Sequence, residues 1–240
     1  MIRLISPHQV QTDDLQTPTK RLFALYFARA VALADVLPID CWQQTDENGA
    51  CTALLFRQND TVFICAEPSA QQEELRQFVL MLGATLCCDQ QACRALGLNA
   101  TRSYEVMQKQ TSGREDTMTP PRGEDLYALL SACFPMPLFA QWYPDFYLAL
   151  RRGVSRVFYH EQQQLCAAVL ALSLTSNACL LSGVATLPSH RPRGYVSKLL
   201  AKAQESLGTR TLFLLAEPSM IPFYQKYGFS SCGRWSETEF

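Results

Sequence analysis

The chain has 240 residues, with 21 Lys and Arg against 22 Asp and Glu for a formal net charge of -1; 48% of positions are hydrophobic and 18% charged. This is the composition of a soluble globular protein, and the length suits one large or two modest domains that fold without staples. It excludes a nucleic-acid binder held by bulk charge, because neutralising phosphates requires a clear Lys/Arg excess.

The first residues carry one basic and few apolar side chains before turning acidic at Asp13 and Asp14, so no secretory apolar segment can be drawn. The richest apolar stretch, 22–37, is broken by Arg29 and Asp35 and falls short of the ~20 residues that span a bilayer. A cytoplasmic protein without membrane association is expected. The ten cysteines include no C-x-x-C, and Cys87, Cys88 and Cys93 have no histidine near them, so no metal is expected. Cys65, Cys166 and Cys179 lie in apolar strand-like runs, where a thiol packs as a small hydrophobe.

In chain order, the first half predicts strands at 52–57 and 61–66 around a Gln58-Asn59-Asp60 turn, and a helix capped by Ser69 with Gln72 three residues on. Leu75, Phe78, Val79 and Leu82 line that helix and Gly83 ends it. A strand at 84–88, a helix at 89–96 and a strand at 101–108 follow. Residues 110–122, polar and with paired prolines, read as a linker between domains at 1–109 and 123–240. Basic minus acidic residues are 9 minus 12 over 1–109 and 11 minus 8 over 121–240, so the halves differ in sign.

After the linker, Leu126, Leu129, Leu130, Cys133 and Phe134 give an amphipathic helix, and a second helix is expected at 144–152 with Pro144 at its first position. Strands at 154–160, 165–173 and 179–187 with short polar breaks predict an antiparallel meander. Val196, Leu199, Leu200, Ala203 and Leu207 line a helix closed by Gly208. A strand at 211–216, a short helix at 219–227 closed by Gly228 and a last strand complete the half. Both halves therefore read β-β-α-β-α-β, which points to an internal duplication.

The segment from Val184 to Val196 runs from a strand end through a basic, glycine-bearing turn into a helix. A helix start leaves amides unpaired and carries partial positive charge, so such a turn cradles a phosphate or pyrophosphate; the competing reading is an ordinary turn with solvated arginines. Gly194 permits close backbone approach, and Arg191 and Arg193 are charge-assisted donors. Further on, a buried strand leads into a short helix bearing Phe223 and Tyr224, ended by Gly228 and Phe229.

Together the two segments resemble the GNAT superfamily of N-acetyltransferases. Its pyrophosphate signature is matched by Arg191, Gly194 and Val196, and its later signature by Phe223-Tyr224 with Gly228-Phe229. The resemblance covers about residues 121–240 and implies an α/β tandem GNAT fold, with mixed sheets flanked by helices and a degenerate first copy. It implies acetyl-CoA as cosubstrate, an amine of a small molecule or peptide as acceptor, and direct attack of that amine on the thioester. Backbone groups of Val184, Ala185 and Thr186 would meet the pantetheine arm, and amides from Arg191 to Val196, Arg193 and Tyr195 included, the pyrophosphate. Val196 is bulkier than the family's small residue, and Pro192 lacks an amide proton.

Tyr224 stands where the family's general acid sits; its alternative is a packed helix aromatic. Glu217 follows the apolar strand and is a candidate base, expected to point into a cleft where desolvation acts on it; a solvated carboxylate is the alternative. His160 and His190 are weaker candidates, and Trp142, Tyr143, Phe146 and Tyr147 form either an aromatic wall over the acceptor or core packing. Two rival functions remain: a non-catalytic CoA-binding or protein-interaction module of the same fold, and a tandem-GNAT aminoacyl transferase. In the first half, residues 65–74 match the turn position without a glycine or a basic residue, and Cys93 falls opposite Tyr224.

Overall fold

The computed structural model describes residues 1–12, 15–116 and 118–240. The chain forms two compact units, one of Met1–Val106, Ala216–Ile221 and Ser231–Phe240, the other of Met107–Leu215 and Pro222–Ser230. They follow the two halves of the sequence, except that two C-terminal segments belong with the first half.

The first unit begins with β1 (Ile2–Ile5), α1 (Pro18–Ala32) and β2 (Ile39–Thr45), none of which the periodicity suggested. In α1, Leu22, Phe23, Leu25, Phe27 and Ala30 are all buried, so apolar side chains occupy more than one face and the stripe is blurred. Pro18 opens this helix, where its missing amide costs nothing. Then come β3 (Cys51–Gln58), β4 (Thr61–Ala66), α2 (Gln72–Leu82), β5 (Thr85–Asp89), α3 (Gln90–Ala95) and β6 (Arg102–Gln110), as the pattern predicted.

The cap of α2 differs from the expectation: Gln71, not Ser69, is the N-cap, and no side chain caps it. Instead Gln44, fully buried, accepts from the Gln71 amide at 2.9 Å and donates to the Gln71 carbonyl at 3.1 Å and to Glu74 at 2.7 Å. A buried side chain from another element has replaced the local cap.

Antiparallel pairs join β1 to β2, β2 to β3 and β3 to β4, and a parallel pair joins β4 to β5. The last strand of the chain, β11 (Ser230–Thr238), lies antiparallel against β5, with Trp235 opposite Asp89. Trp235 is buried and stacks on Tyr26 of α1.

The second unit takes the end of β6 beside β10 (Thr211–Ala216). Before it lie α4 (Gly123–Ser131), α5 (Phe139–Arg151), β7 (Arg156–Glu161), β8 (Leu165–Leu174), β9 (Ala178–Thr186) and α6 (Tyr195–Ser206), and after it α7 (Ile221–Gln225). The strands β7, β8 and β9 form the expected antiparallel meander, and β9 runs parallel to β10. Leu126, Leu129 and Leu130 of α4 pack with Phe146, Val157 and Leu170 in the core.

The helix expected to start at Pro144 starts at Phe139, with Pro144 inside it. Phe139, Tyr143 and Tyr147 recur every fourth residue and stack successively, at 4.9 Å and 5.5 Å between ring centroids. That ladder carries the helix past the one hydrogen bond the proline cannot make.

The segment read as a linker is tied into the second unit along residues 111–116; Thr117 lies outside the described residues. The Thr111 amide donates to the Arg210 carbonyl at 2.9 Å, its hydroxyl donates to the Gly208 carbonyl at 2.6 Å, and the Asp116 amide donates to the Ser206 carbonyl at 3.1 Å. Gly113 is required there, since a Cβ would sit 2.0 Å from the Glu205 carbonyl oxygen.

Candidate active site

The parallel pairing of β9 with β10 holds only from Ala178 opposite Thr211 to Leu181 opposite Leu214. Beyond it the β10-facing edge of β9 has no ladder partner among the described residues, while Ala185 and Thr186 stay paired on the other side to Ala168 and Ala167 of β8. Gly183 sits at a bulge with φ +54°, and a Cβ there would meet Leu170 Cδ1 at 2.9 Å. The bulge re-aims Val184, Ala185 and Thr186 where the strands part. Residue 183 is a glycine that sequence reasoning did not single out, although a glycine inside a strand pattern is itself a bulge signal.

A 3-10 turn, Pro188–His190, then leads to Gly194, which holds φ 71° and ψ 15° at the N-cap of α6. A Cβ at Gly194 would meet nothing within 4 Å, so its backbone faces open space. The Arg191 amide donates to the Pro188 carbonyl at 3.2 Å. The expectation that amides from Arg191 onward form the cradle is corrected accordingly: 191 is engaged within the turn and Pro192 has none. Lys198 makes the first helical bond, to the Gly194 carbonyl, which leaves the amides of Tyr195, Val196 and Ser197 unpaired by helix geometry.

The two arginines part company. Arg191 folds back, donating through Nε to the Thr186 carbonyl at 2.8 Å and through a terminal nitrogen to Cys133 Sγ at 3.7 Å. Arg193 is exposed and, like Lys198 and Lys202 on α6, makes no ion pair among the described residues. The Tyr195 side chain points inward, stacking on His160 at 4.2 Å and accepting a hydrogen bond from Gln162 at 3.1 Å, so only its amide belongs to the turn. His190 pairs with the neighbouring Ser189 hydroxyl at 3.0 Å.

Tyr224 is 7% exposed, set edge-on to Phe229 and Phe223. The Phe229 amide closes on the Tyr224 carbonyl at 3.3 Å, and Gly228 supplies the φ of +80° that ends the helix. The Tyr224 hydroxyl makes no hydrogen bond among the described residues, and burial pushes its pKa up to about 12. The phenol therefore keeps its proton throughout the neutral range.

Side-chain contacts absent from the sequence reading tie this turn to the helix start. The Tyr227 and Ser197 hydroxyls share a short hydrogen bond, and Lys109 donates to the Tyr227 carbonyl and to Gln204 Oε1, both at 2.7 Å. Lys109 lies 118 residues from Tyr227, and no local pattern signals such a pairing.

Glu217 follows β10 in the first unit, and its carbonyl accepts from the Met220 amide at 2.8 Å. Its side chain is exposed, so the expected desolvation in a cleft is not found. Of the four aromatics expected to form a wall or core, Phe146 is core, Trp142 and Tyr143 are half-buried, and Tyr147 is 44% exposed. No helix among the described residues is long and apolar enough to cross a membrane.

Residues 166–232 match the family model "Acetyltransferase (GNAT) domain". No curated protein matches the chain. Among solved structures it is similar to a GCN5-related N-acetyltransferase from Sphaerobacter thermophilus, with 14% identity, 99% of this chain and 94% of that chain covered, and a TM-score of 0.64. A GCN5-related N-acetyltransferase from Kribbella flavida is 12% identical over 92% of this chain and 95% of its own, with a TM-score of 0.59. A tandem GNAT protein from the clavulanic acid biosynthesis pathway is 13% identical over 99% and 97%, with a TM-score of 0.55. The chain thus has the α/β fold of these GNAT structures, a tandem one included, and it is residues 166–232 that match the GNAT acetyltransferase model.

Proposed function

We propose that the second unit binds acetyl-CoA and transfers its acetyl group to an amine of a small molecule or peptide. The observation that carries this reading is the parted edge of β9 running into the open Gly194 turn, with the amides of Tyr195, Val196 and Ser197 unpaired at the start of α6. An extended amide-bearing arm fits the free strand edge, and a pyrophosphate fits a helix start. Backbone groups of Val184 and Ala185 would meet the arm; the Thr186 carbonyl is already taken by Arg191, which braces the turn. Arg193 is the free guanidinium beside the phosphates, and Lys198 and Lys202 add positive charge along the same helix.

In the reaction, the neutral amine attacks the thioester carbonyl carbon; a C–N bond forms and the C–S bond breaks. Tyr224 gives its proton to the departing thiolate, a role suited to a phenol that burial keeps protonated. The proton lost by the amine passes to water. Tyr227 and Ser197 position rather than react, by holding the Tyr224 turn against the start of α6.

Gly194→Glu tests the reading. Open space at the Cβ position lets the variant fold, at about 1 kcal/mol for a non-glycine residue in this left-handed conformation. Calorimetric titration should show at least a tenfold loss of acetyl-CoA affinity, about 1.4 kcal/mol or more. Unchanged affinity in a folded variant means that CoA does not bind this turn.

A further inference from the structure

The first unit holds a cleft of its own. Its parallel pair, β4 with β5, is registered from Thr61 opposite Thr85 to Ile64 opposite Cys88 and then parts, as β9 and β10 do. Where the strands part there is a cavity of about 500 Å³. That volume is in the range of small-molecule sites.

The lining is divided by chemistry. Phe23, Ile64, Ala92, Ala95 and Trp235 make an apolar wall. Three charged side chains reach the cavity: Lys20, Glu67 and Asp89. Lys20 and Glu67 neutralise one another in an ion pair, which leaves Asp89 as the uncompensated charge. One Asp89 oxygen caps α3 by accepting from the Gln91 amide at 2.7 Å, and the carboxylate makes no ion pair among the described residues. Gln72 also lines the cavity, and its Oε1 is buried with no hydrogen-bond partner among the described residues.

An uncompensated carboxylate beside an apolar wall selects a ligand with the opposite pattern. We propose that this cleft binds a small organic monocation, a primary amine on an apolar body, with its ammonium group donating to Asp89 and its body against Phe23 and Trp235. An acyl-CoA is disfavoured at the same place. Between the last paired residue and the following helix lie residues 65–71, seven in all, against residues 182–194, thirteen, in the second unit. The shorter connection has no glycine or basic residue, and Glu67, Glu73 and Glu74 surround the start of α2. Carboxylates there repel a pyrophosphate.

The test is calorimetric titration of the full chain with propylamine, phenethylamine and tryptamine at up to millimolar concentration, with 3-phenylpropionate and acetyl-CoA as comparators. At least one amine should bind with a stoichiometry near one, and 3-phenylpropionate should not. Asp89→Asn keeps a side-chain cap for α3 and should weaken amine binding at least tenfold. Ala92→Leu, which fills the cavity, should abolish it and decides the matter if the first variant fails to fold. Gly194→Glu should leave amine binding unchanged, which separates this site from the proposed acetyl-CoA turn. The proposal is overturned by any of four results: no amine binds, the carboxylate probe binds as well as the amines, amine binding survives both cleft variants, or amine binding is lost in Gly194→Glu; acetyl-CoA binding that survives Gly194→Glu overturns the reading of the glycine turn instead.

Discussion

At the scale of single residues, Tyr224 carries the sharpest expectation. Tyr224→Phe keeps the ring against Phe223 and Phe229 and removes only the hydroxyl, so kcat should fall by about 10²–10⁴ while acetyl-CoA binding is retained. A variant with near wild-type kcat in steady-state assays would make Tyr224 a packing residue. Its pH dependence has a definite sign. Because burial raises the phenol to about 12, the donating form persists well above neutrality, and loss of this proton should not depress the rate below about pH 11. A pH–rate profile with a basic limb near 9 that vanishes in the phenylalanine variant would contradict that. Glu217 teaches the reverse lesson: its position after an apolar strand suggested burial, and the chain turns it to solvent.

At the scale of elements, the strap at 111–116 is held by charge as well as by backbone. Glu115 pairs with Arg156 and with Arg210, whose guanidinium also donates to the carbonyls of Thr175 and Leu207. The two arginines hold the Glu115 carboxyl below the usual carboxylate range. A depressed carboxylate stabilises the fold fully above its unfolded pKa, near 4.3, and that stabilisation is lost as pH falls through the lower folded value. Glu115→Gln should therefore cost about 1 kcal/mol at neutral pH, a modest figure because the carboxylate is half exposed. In urea unfolding, the difference from wild type should shrink as pH falls from about 6 to about 3. A difference independent of pH would place the effect in packing rather than charge.

At the scale of the whole molecule, the two units repeat two local constructions. Each has a parallel pair registered over its first four residues before it parts, and each closes its short helix with the same pair of bonds. Leu98 donates to the Cys93 carbonyl at 3.1 Å and Gly97 to Arg94 at 2.9 Å, as Phe229 does to Tyr224 and Gly228 to Gln225. Cys93 thus occupies the place of Tyr224, with a thiol where the phenol stands. Its sulfur lies 3.6 Å from the Thr238 hydroxyl. Calorimetry on the intact protein should give one acetyl-CoA per chain, abolished by Gly194→Glu; two per chain would mean that the first unit is no degenerate copy.

The sequence by itself determined what is local. The glycine turn at 194, the helix after it, the Phe-Tyr and Gly-Phe pairs and each strand of the meander before them are written in short consecutive runs, because capping, periodicity and positive φ act over a turn or two. The tertiary structure decided the rest. It placed β11 beside β5, packed α1 on β3 and β4 through Phe23 and Tyr26, turned Arg191 back onto Thr186, and set Lys109 against Tyr227 and Glu115 against Arg210. Hydrophobic spacing reports which face of a strand or helix is buried, yet it names no partner. Strand exchange, a folded-back guanidinium and a buried glutamine acting as a helix cap depend on groups brought together from distant parts of the chain, and only packing brings them there.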